Sequence, residues 1–151
     1  MSKKVGIVTG YAGFIGSTFT RRLLEEGWYL YCIDKFSHVS DMVQADRNHH
    51  EYHQRMQWVN NDISDLEWLP ECDVIFNLAA ESDVDVGNQD PSMFINTNIE
   101  GVRNLLTIID QRIVIRADKP LFFQVSTDEV YGDIHHGSFD ESAQLNPSNP
   151  Y

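Results

Sequence analysis

Asp128 and Glu129 stand side by side in the stretch STDEVYG (126–132), directly after the apolar run PLFFQV. Charged groups beside a core are costly unless they are paired or used. Two neighbouring carboxyls can supply a base and an acid to one reaction, because like charge and partial burial set their protonation apart. Neighbours along a continuing strand face opposite sides, so both can reach one substrate only if the strand ends near Ser126 and the chain turns there. A structural use is also open. Ser126 and Glu129 match the capping box S/T-x-x-E, which would start a helical turn. The two uses are compatible, since a helix start can present side chains. Tyr131 is read as packing.

A second group of residues points to an anionic ligand. TGYAGFIG (9–16) places Gly10, Gly13 and Gly16 between an apolar run and an amphipathic one. Glycine there lets the backbone turn tightly and lets a pyrophosphate approach main-chain N–H groups at a positive helix end. Asp34 closes the next apolar run, in CIDK. A carboxylate at that point accepts hydrogen bonds from a ribose diol and repels a 2′-phosphate, which favours NAD over NADP. The spacing is G-x-x-G-x-x-G, a loose fit to the dinucleotide fingerprint. The plainer alternative is a glycine turn with a surface Asp.

The elements that must position these residues alternate. KKVGIVTG is a β-branched strand ending in glycine. FIGSTFTRRLLEEG carries Phe14, Ile15, Phe19 and Leu23 at helical spacing and stops at Gly27. WYLYCID, MQWVNND, CDVIFNLAA and PLFFQVS are four further strands. PSMFINTNIEGVRNLLTIID sets Phe94, Ile95, Ile99, Val102, Leu105, Leu106 and Ile109 on one broad stripe, a long helix with proline near its start. Strand, helix, strand repeating in this way gives an α/β fold, a Rossmann-like doubly wound parallel sheet. The expected strand order is 3-2-1-4-5, with the crevice between strands one and four. The tail GSFDESAQLNPSNPY reads as loop.

The chain has 151 residues and a net charge of −12, with 42% hydrophobic and 23% charged residues. That is enough for one domain, residues 1–151, and it argues against binding nucleic acid or an acidic membrane. Cys32 and Cys72 fall in or beside strands and read as small core residues rather than a disulfide. No apolar run has the length of a membrane span, and no secretory signal is present, so a cytoplasmic location is expected. His49 and His53 are four apart, but no third ligand accompanies them. The segment from Lys35 to Arg55 reads as a solvated loop or short helix, without a metal.

These motifs carry a resemblance over Val5–Tyr151. TGYAGFIG resembles the glycine motif of extended short-chain dehydrogenases/reductases. NDI (61–63) resembles the segment bordering adenine, and NLAAES (77–82) the fourth-strand motif along the cofactor. STDEVYG and NPSNPY narrow the likeness to nucleotide-sugar 4,6-dehydratases, the dTDP-glucose enzymes above all. The resemblance implies NAD as cofactor. It places Phe14 and Ile15 at the pyrophosphate, with Asp34, Lys35 and Ser37 by the adenosine ribose. Asp62 and Ile63 fall by the adenine, Leu78, Ala79, Ala80 and Ser82 on the nicotinamide side, and Thr97 near the cofactor.

For the chemistry, the resemblance implies that Tyr151 takes the proton of the sugar 4-hydroxyl while hydride passes to NAD. Glu129 then removes the C5 proton, Asp128 protonates the departing 6-hydroxyl, and Thr127 bonds near the 4-oxygen. Hydride finally returns to C6. Two departures stand out. A His-Val-Asp-Arg run is usual after AAES, and here Asp83, Val84, Asp85 and Val86 follow. The family's Tyr-x-x-x-Lys motif begins at Tyr151, the last residue. The chain is therefore expected to be an N-terminal portion, its sheet cut after about the fifth strand and the substrate domain absent. It is expected to self-associate, as the family dimerises through a helix pair, and to be inactive alone. An epimerase or decarboxylase on the same frame, or a non-catalytic dinucleotide-binding fragment, are the alternatives.

Overall fold

The computed structural model describes residues 4–37, 40–115 and 120–151. Lys3 of the first expected strand and residues 38–39 of the long linker lie outside the described residues. Five strands, β1 (Val5–Thr9), β2 (Tyr29–Asp34), β3 (Met56–Asn60), β4 (Val74–Asn77) and β5 (Leu121–Gln124), pair in parallel in the order β3-β2-β1-β4-β5. This is the expected Rossmann-like sheet and the expected order. Helices cover both faces, so the central strands are apolar on successive residues rather than alternating. Ile7, Ile33 and Ile75 point to one layer with Leu105, Ile108 and Ile109. Val8, Leu30, Cys32 and Met56 point to the other with Leu23, Leu24 and Ala45.

Helix α1 (Phe14–Glu25) buries Gly16, Ser17, Thr20, Leu23 and Leu24. Phe14 and Ile15, expected on its apolar face, are 90% and 64% exposed. Where the helix begins it touches the backbone of the glycine turn, and only small residues fit between them. The linker holds a helix, α2 (Met42–Tyr52), started by the Asp41 carboxylate accepting the Gln44 N–H at 2.9 Å. Its anchor is polar: buried Asn48 donates to the Ser17 carbonyl of α1 at 3.0 Å. His49 lies over Trp58, ring centres 5.2 Å apart.

After the short α3 (Val84–Gln89), one helical run comprises α4 (Ser92–Phe94), a π-helical segment (Ile95–Gly101) and α5 (Val102–Ile115). The expected broad stripe does not hold. Phe94, Leu105 and Ile109 are buried, but Ile95, Ile99 and Leu106 are about half exposed, at 49%, 58% and 46%. The wider π turn shifts the register, so Thr97 and Gly101 face inward instead. At Gly101 a Cβ would lie 2.5 Å from Ile63 Cγ1, so only glycine lets this turn close on the segment after β3.

A polar row, buried at Thr9 and Asn77, ties the strand ends together. The Thr9 hydroxyl donates to Asn77 Oδ1, and Asn77 Nδ2 donates to Gln124 Oε1 at 2.8 Å. The Ala79 N–H donates to the Thr9 hydroxyl at 3.2 Å. These bonds fix where β1, β4 and β5 stop, at the edge where ligands bind in open parallel sheets. No helix among the described residues is long and apolar enough to cross a membrane.

Candidate cofactor cleft and acid pair

A cleft of about 520 Å³, open mouth included, runs along the C-terminal ends of β1, β2 and β4. Its floor is the β1–α1 turn. Gly10 has φ +66°, and a Cβ there would come within 2.7 Å of the Ala79 backbone nitrogen. A Cβ on Gly16 would sit 2.0 Å from the Gly10 carbonyl oxygen. Side chains at these points would push the turn off β4 and the helix off the turn. Gly13 is the N-cap of α1, and no side chain caps it. The first-turn N–H groups of Phe14, Ile15 and Gly16 are thus left to an external acceptor, in the positive field of the helix end.

Asp34 ends β2 and is 9% exposed. Its Oδ2 accepts the Ala12 N–H at 2.9 Å, and its Oδ1 accepts the Phe36 N–H at 2.8 Å. The carboxylate therefore shapes the glycine turn as well as lining the cleft. Phe36 takes φ +53°, unusual for a residue with a Cβ, and its ring packs edge-on against Tyr11 and Trp58.

Lys35 reaches across. Its ammonium lies 2.7 Å from Glu81 Oε1, 3.1 Å from Thr97 Oγ1 and 3.4 Å from Asp62 Oδ2. Burial opposes its charge, but the hydrogen bond to Glu81 and the charges of Glu81 and Asp62 outweigh that and raise its pKa. Asp62 is also partly desolvated, yet the Ser64 N–H and the Lys35 charge hold its carboxyl below the ordinary value. Ser37 and Ile63 line this side, and Leu78, Ala79 and Ala80 line the β4 wall. Ser82 is exposed and does not line the cleft.

Asn61 of NDI lines the cleft as well, and so do Glu81, Ser40 and Ile33, which were not among the expected site residues. Glu81 had a legible signal, being the one carboxylate within NLAAES. The π segment sets it: Asn98 Oδ1 accepts the Glu81 N–H and Asn98 Nδ2 donates to the Glu81 carbonyl, each at 2.9 Å.

The acid pair lies past the end of β5. The strand stops at Gln124, and a 3₁₀ turn spans Asp128–Tyr131, so both carboxyls have left the strand as their joint use requires. The cap is not Ser126. Thr127 Oγ1 accepts the Glu129 N–H at 3.2 Å, one residue later than the capping box, because Thr127 is the last extended residue. The Thr127 hydroxyl points its proton to Asp128 Oδ1 at 3.4 Å. Asp128 is exposed, and Glu129, half-buried, accepts from Asn149 Nδ2 at 2.5 Å. The tail returns through Asn146, whose N–H donates to the Val130 carbonyl at 3.0 Å. It delivers Tyr151 to Phe94, ring centres 6.3 Å apart. Tyr131 stacks on Phe139, as packing. Thr127, Asp128, Glu129 and Tyr151 are not among the residues lining the cleft.

A family model described as GDP-mannose 4,6 dehydratase matches residues 7–151. The chain belongs to the GDP-mannose 4,6 dehydratase family. The low-salt glycan biosynthesis protein Agl12 of Haloferax volcanii is 39% identical over 96% of this chain and 46% of its own length. A dTDP-glucose 4,6-dehydratase of Streptomyces griseus is 37% identical over 96% of this chain and 44% of its own. The solved UDP-glucose-4-epimerase of Stenotrophomonas maltophila, with bound NAD and formylated UDP-arabinopyranose, superposes with a TM-score of 0.83. It is 26% identical, over 99% of this chain and 44% of that one. The chain thus spans just under half the length of the relatives it matches.

Within this dehydratase family member, the glycine turn, uncapped helix start and Asp34 form a cradle that fits a dinucleotide. The departure after AAES has a local use. The Asp83 carboxylate accepts the Val86 N–H at 3.1 Å and starts α3, while Val86 is exposed.

Proposed function

We propose that the cleft binds NAD and that the chain carries the cofactor site and the acid–base pair of a nucleotide-sugar 4,6-dehydratase acting on dTDP-glucose, a lyase of the cytoplasm. The observation that carries this reading is the acid pair. Asp128 and Glu129 are adjacent, both off the strand, on a capped turn at the ligand-binding edge of the sheet. The NAD preference rests on Asp34, which would meet the ribose diol and repel a 2′-phosphate.

In this reading α1 offers its first-turn N–H groups to the pyrophosphate, and Asp62 and Ile63 flank the adenine. Leu78, Ala79 and Ala80 keep water from the nicotinamide side, near Ser82 and Thr97. Bound NAD would supply the hydride acceptor and donor. Tyr151 removes the proton of the sugar 4-hydroxyl. Once C4 is a ketone the C5 proton is acidic, and the Glu129 carboxylate, held by Asn149, takes it. Asp128 gives a proton to the 6-hydroxyl, which leaves as water, so one proton is taken and one returned. Thr127 orients Asp128.

The test is a chimaera in which these residues replace the matching part of the Streptomyces griseus dTDP-glucose 4,6-dehydratase. Product is read as the absorbance of the 4-keto-6-deoxy sugar in alkali. The expected result is product from the chimaera, at least a hundredfold less with Glu129→Gln or Asp128→Asn (of order 10² for one acid–base group), and none from the 151 residues alone. Sugar epimerised at C4 without loss of water would instead favour an epimerase, the activity named for the Stenotrophomonas neighbour.

A further inference from the structure

We infer that Glu81 is a cofactor-specificity residue: by holding Lys35 it keeps the cleft's cation away from an adenosine 2′-phosphate, and so supports NAD against NADP. The inference rests on the proposal that the cleft binds NAD.

Lys35 follows Asp34 directly and lines the same cleft. A basic side chain close to the β2 carboxylate is what accommodates a 2′-phosphate in NADP-binding relatives of this fold. Left to itself, Lys35 would therefore oppose the selectivity of Asp34. Asp34 is also weakened as a repelling charge, since its two oxygens already accept the Ala12 and Phe36 N–H groups. Discrimination then depends on what Lys35 does.

An ammonium has three donors. Those of Lys35 face three acceptors, Glu81 at 2.7 Å, Thr97 at 3.1 Å and Asp62 at 3.4 Å. None is left for a phosphate. Glu81 is the nearest of the three, and its side chain is 14% exposed. Asn98 grips its backbone from both sides, so the carboxylate is placed rather than free. Asp62 is a poorer candidate for the role, because its Oδ2 stands 3.4 Å from the ammonium against 2.7 Å for Glu81.

The experiment is calorimetric titration of the 151-residue chain with NAD, NADP, ADP and adenosine 2′,5′-bisphosphate. It uses wild type, Glu81→Gln, Lys35→Met and the double variant, with melting temperature as a folding check. Glu81→Gln is expected to lower the NADP:NAD ratio of Kd about tenfold, the scale of one released charge-assisted hydrogen bond in a half-open site. The bisphosphate should gain on ADP equally, and both gains should vanish in the double variant. Lys35→Met alone should not improve NADP against NAD, since it removes the cation and leaves the Glu81 and Asp62 carboxylates unneutralised in the cleft. An unchanged ratio in folded Glu81→Gln, or a gain that survives loss of Lys35, overturns the inference while NAD binding stands. Should Glu81→Gln not fold, Glu81→Asp, whose shorter side chain withdraws the carboxylate from Lys35, takes its place, and an unchanged NADP:NAD ratio in it overturns the inference. Wild type binding neither dinucleotide overturns the NAD reading itself, and the inference with it.

Discussion

β1 and β5 both pair in parallel with β4, in regular register, and differ in almost everything else. β1 is buried from Gly6 to Thr9, while β5 exposes Leu121 by 64% and Phe123 by 53%. Backbone pairing needs only a neighbouring strand. Burial needs covered faces, and Leu121 and Phe123 find little cover among the described residues. The same contrast runs through the two candidate sites. Asp34 and Lys35 are locked by partners from the glycine turn, from the segments that follow β2, β3 and β4, and from the π segment. Asp128 is exposed on a turn held by one threonine cap and the returning tail. The cleft is built into the sheet, and the acid pair is attached beyond it.

The largest expected effect lies on the buried side. Gly16→Ala puts a Cβ 2.0 Å from the Gly10 carbonyl oxygen, and should cost about 3 kcal/mol in urea unfolding. Leu121→Ser, on the open side, should cost within about 0.5 kcal/mol. Equal losses would erase the contrast between the strands.

Next comes Asp34→Ala. It removes an acceptor from the Ala12 and Phe36 N–H groups as well as the ribose partner, and should weaken NAD about a hundredfold in calorimetry. A change under about threefold would mean the carboxylate only shapes the turn.

The open side has a test of its own. Among the described residues β5 has no neighbour on its outer edge and exposes apolar side chains, the kind of surface open to pairing with another strand. Light scattering should show concentration-dependent dimers or larger species, reduced in Leu121→Ser. A monomer at high concentration would count against it.

The smallest effect concerns pH. Lys35 titrates above its ordinary value of 10.5, so its stabilising contribution is complete below that value and is lost as pH rises through the raised one. Asp62 titrates below its ordinary 3.8, so its contribution is present above that value and is lost as pH falls through the lowered one. Lys35→Met should therefore lower the melting temperature by a constant small amount across the neutral range and converge on wild type only in strong alkali. A difference that changes around pH 6 would assign the effect to other groups.

The same contrast separates what could be read from the residues and what could not. Sheet order, the glycine turn and Asp34 were legible because strand periodicity, a glycine requirement and a carboxylate at a strand end are local signals. The exposure of Ile95 and Ile99 was not, since a π turn changes the helical register without changing composition. Glu81 and Asn98 were missed because their roles exist only across the cleft. Thr127 displaced Ser126 as the cap because the chain beyond β5 stays extended through Thr127, one residue past the position the motif implies.

The central claim is that the strand-end cleft binds NAD through the glycine turn and Asp34. Calorimetric titration of the chain with NAD and NADP tests it most directly. The account predicts one NAD per chain, bound at least tenfold more tightly than NADP, a preference to which the Asp34 carboxylate and the Glu81-held Lys35 both contribute. No binding, or NADP bound as well as NAD, would contradict it.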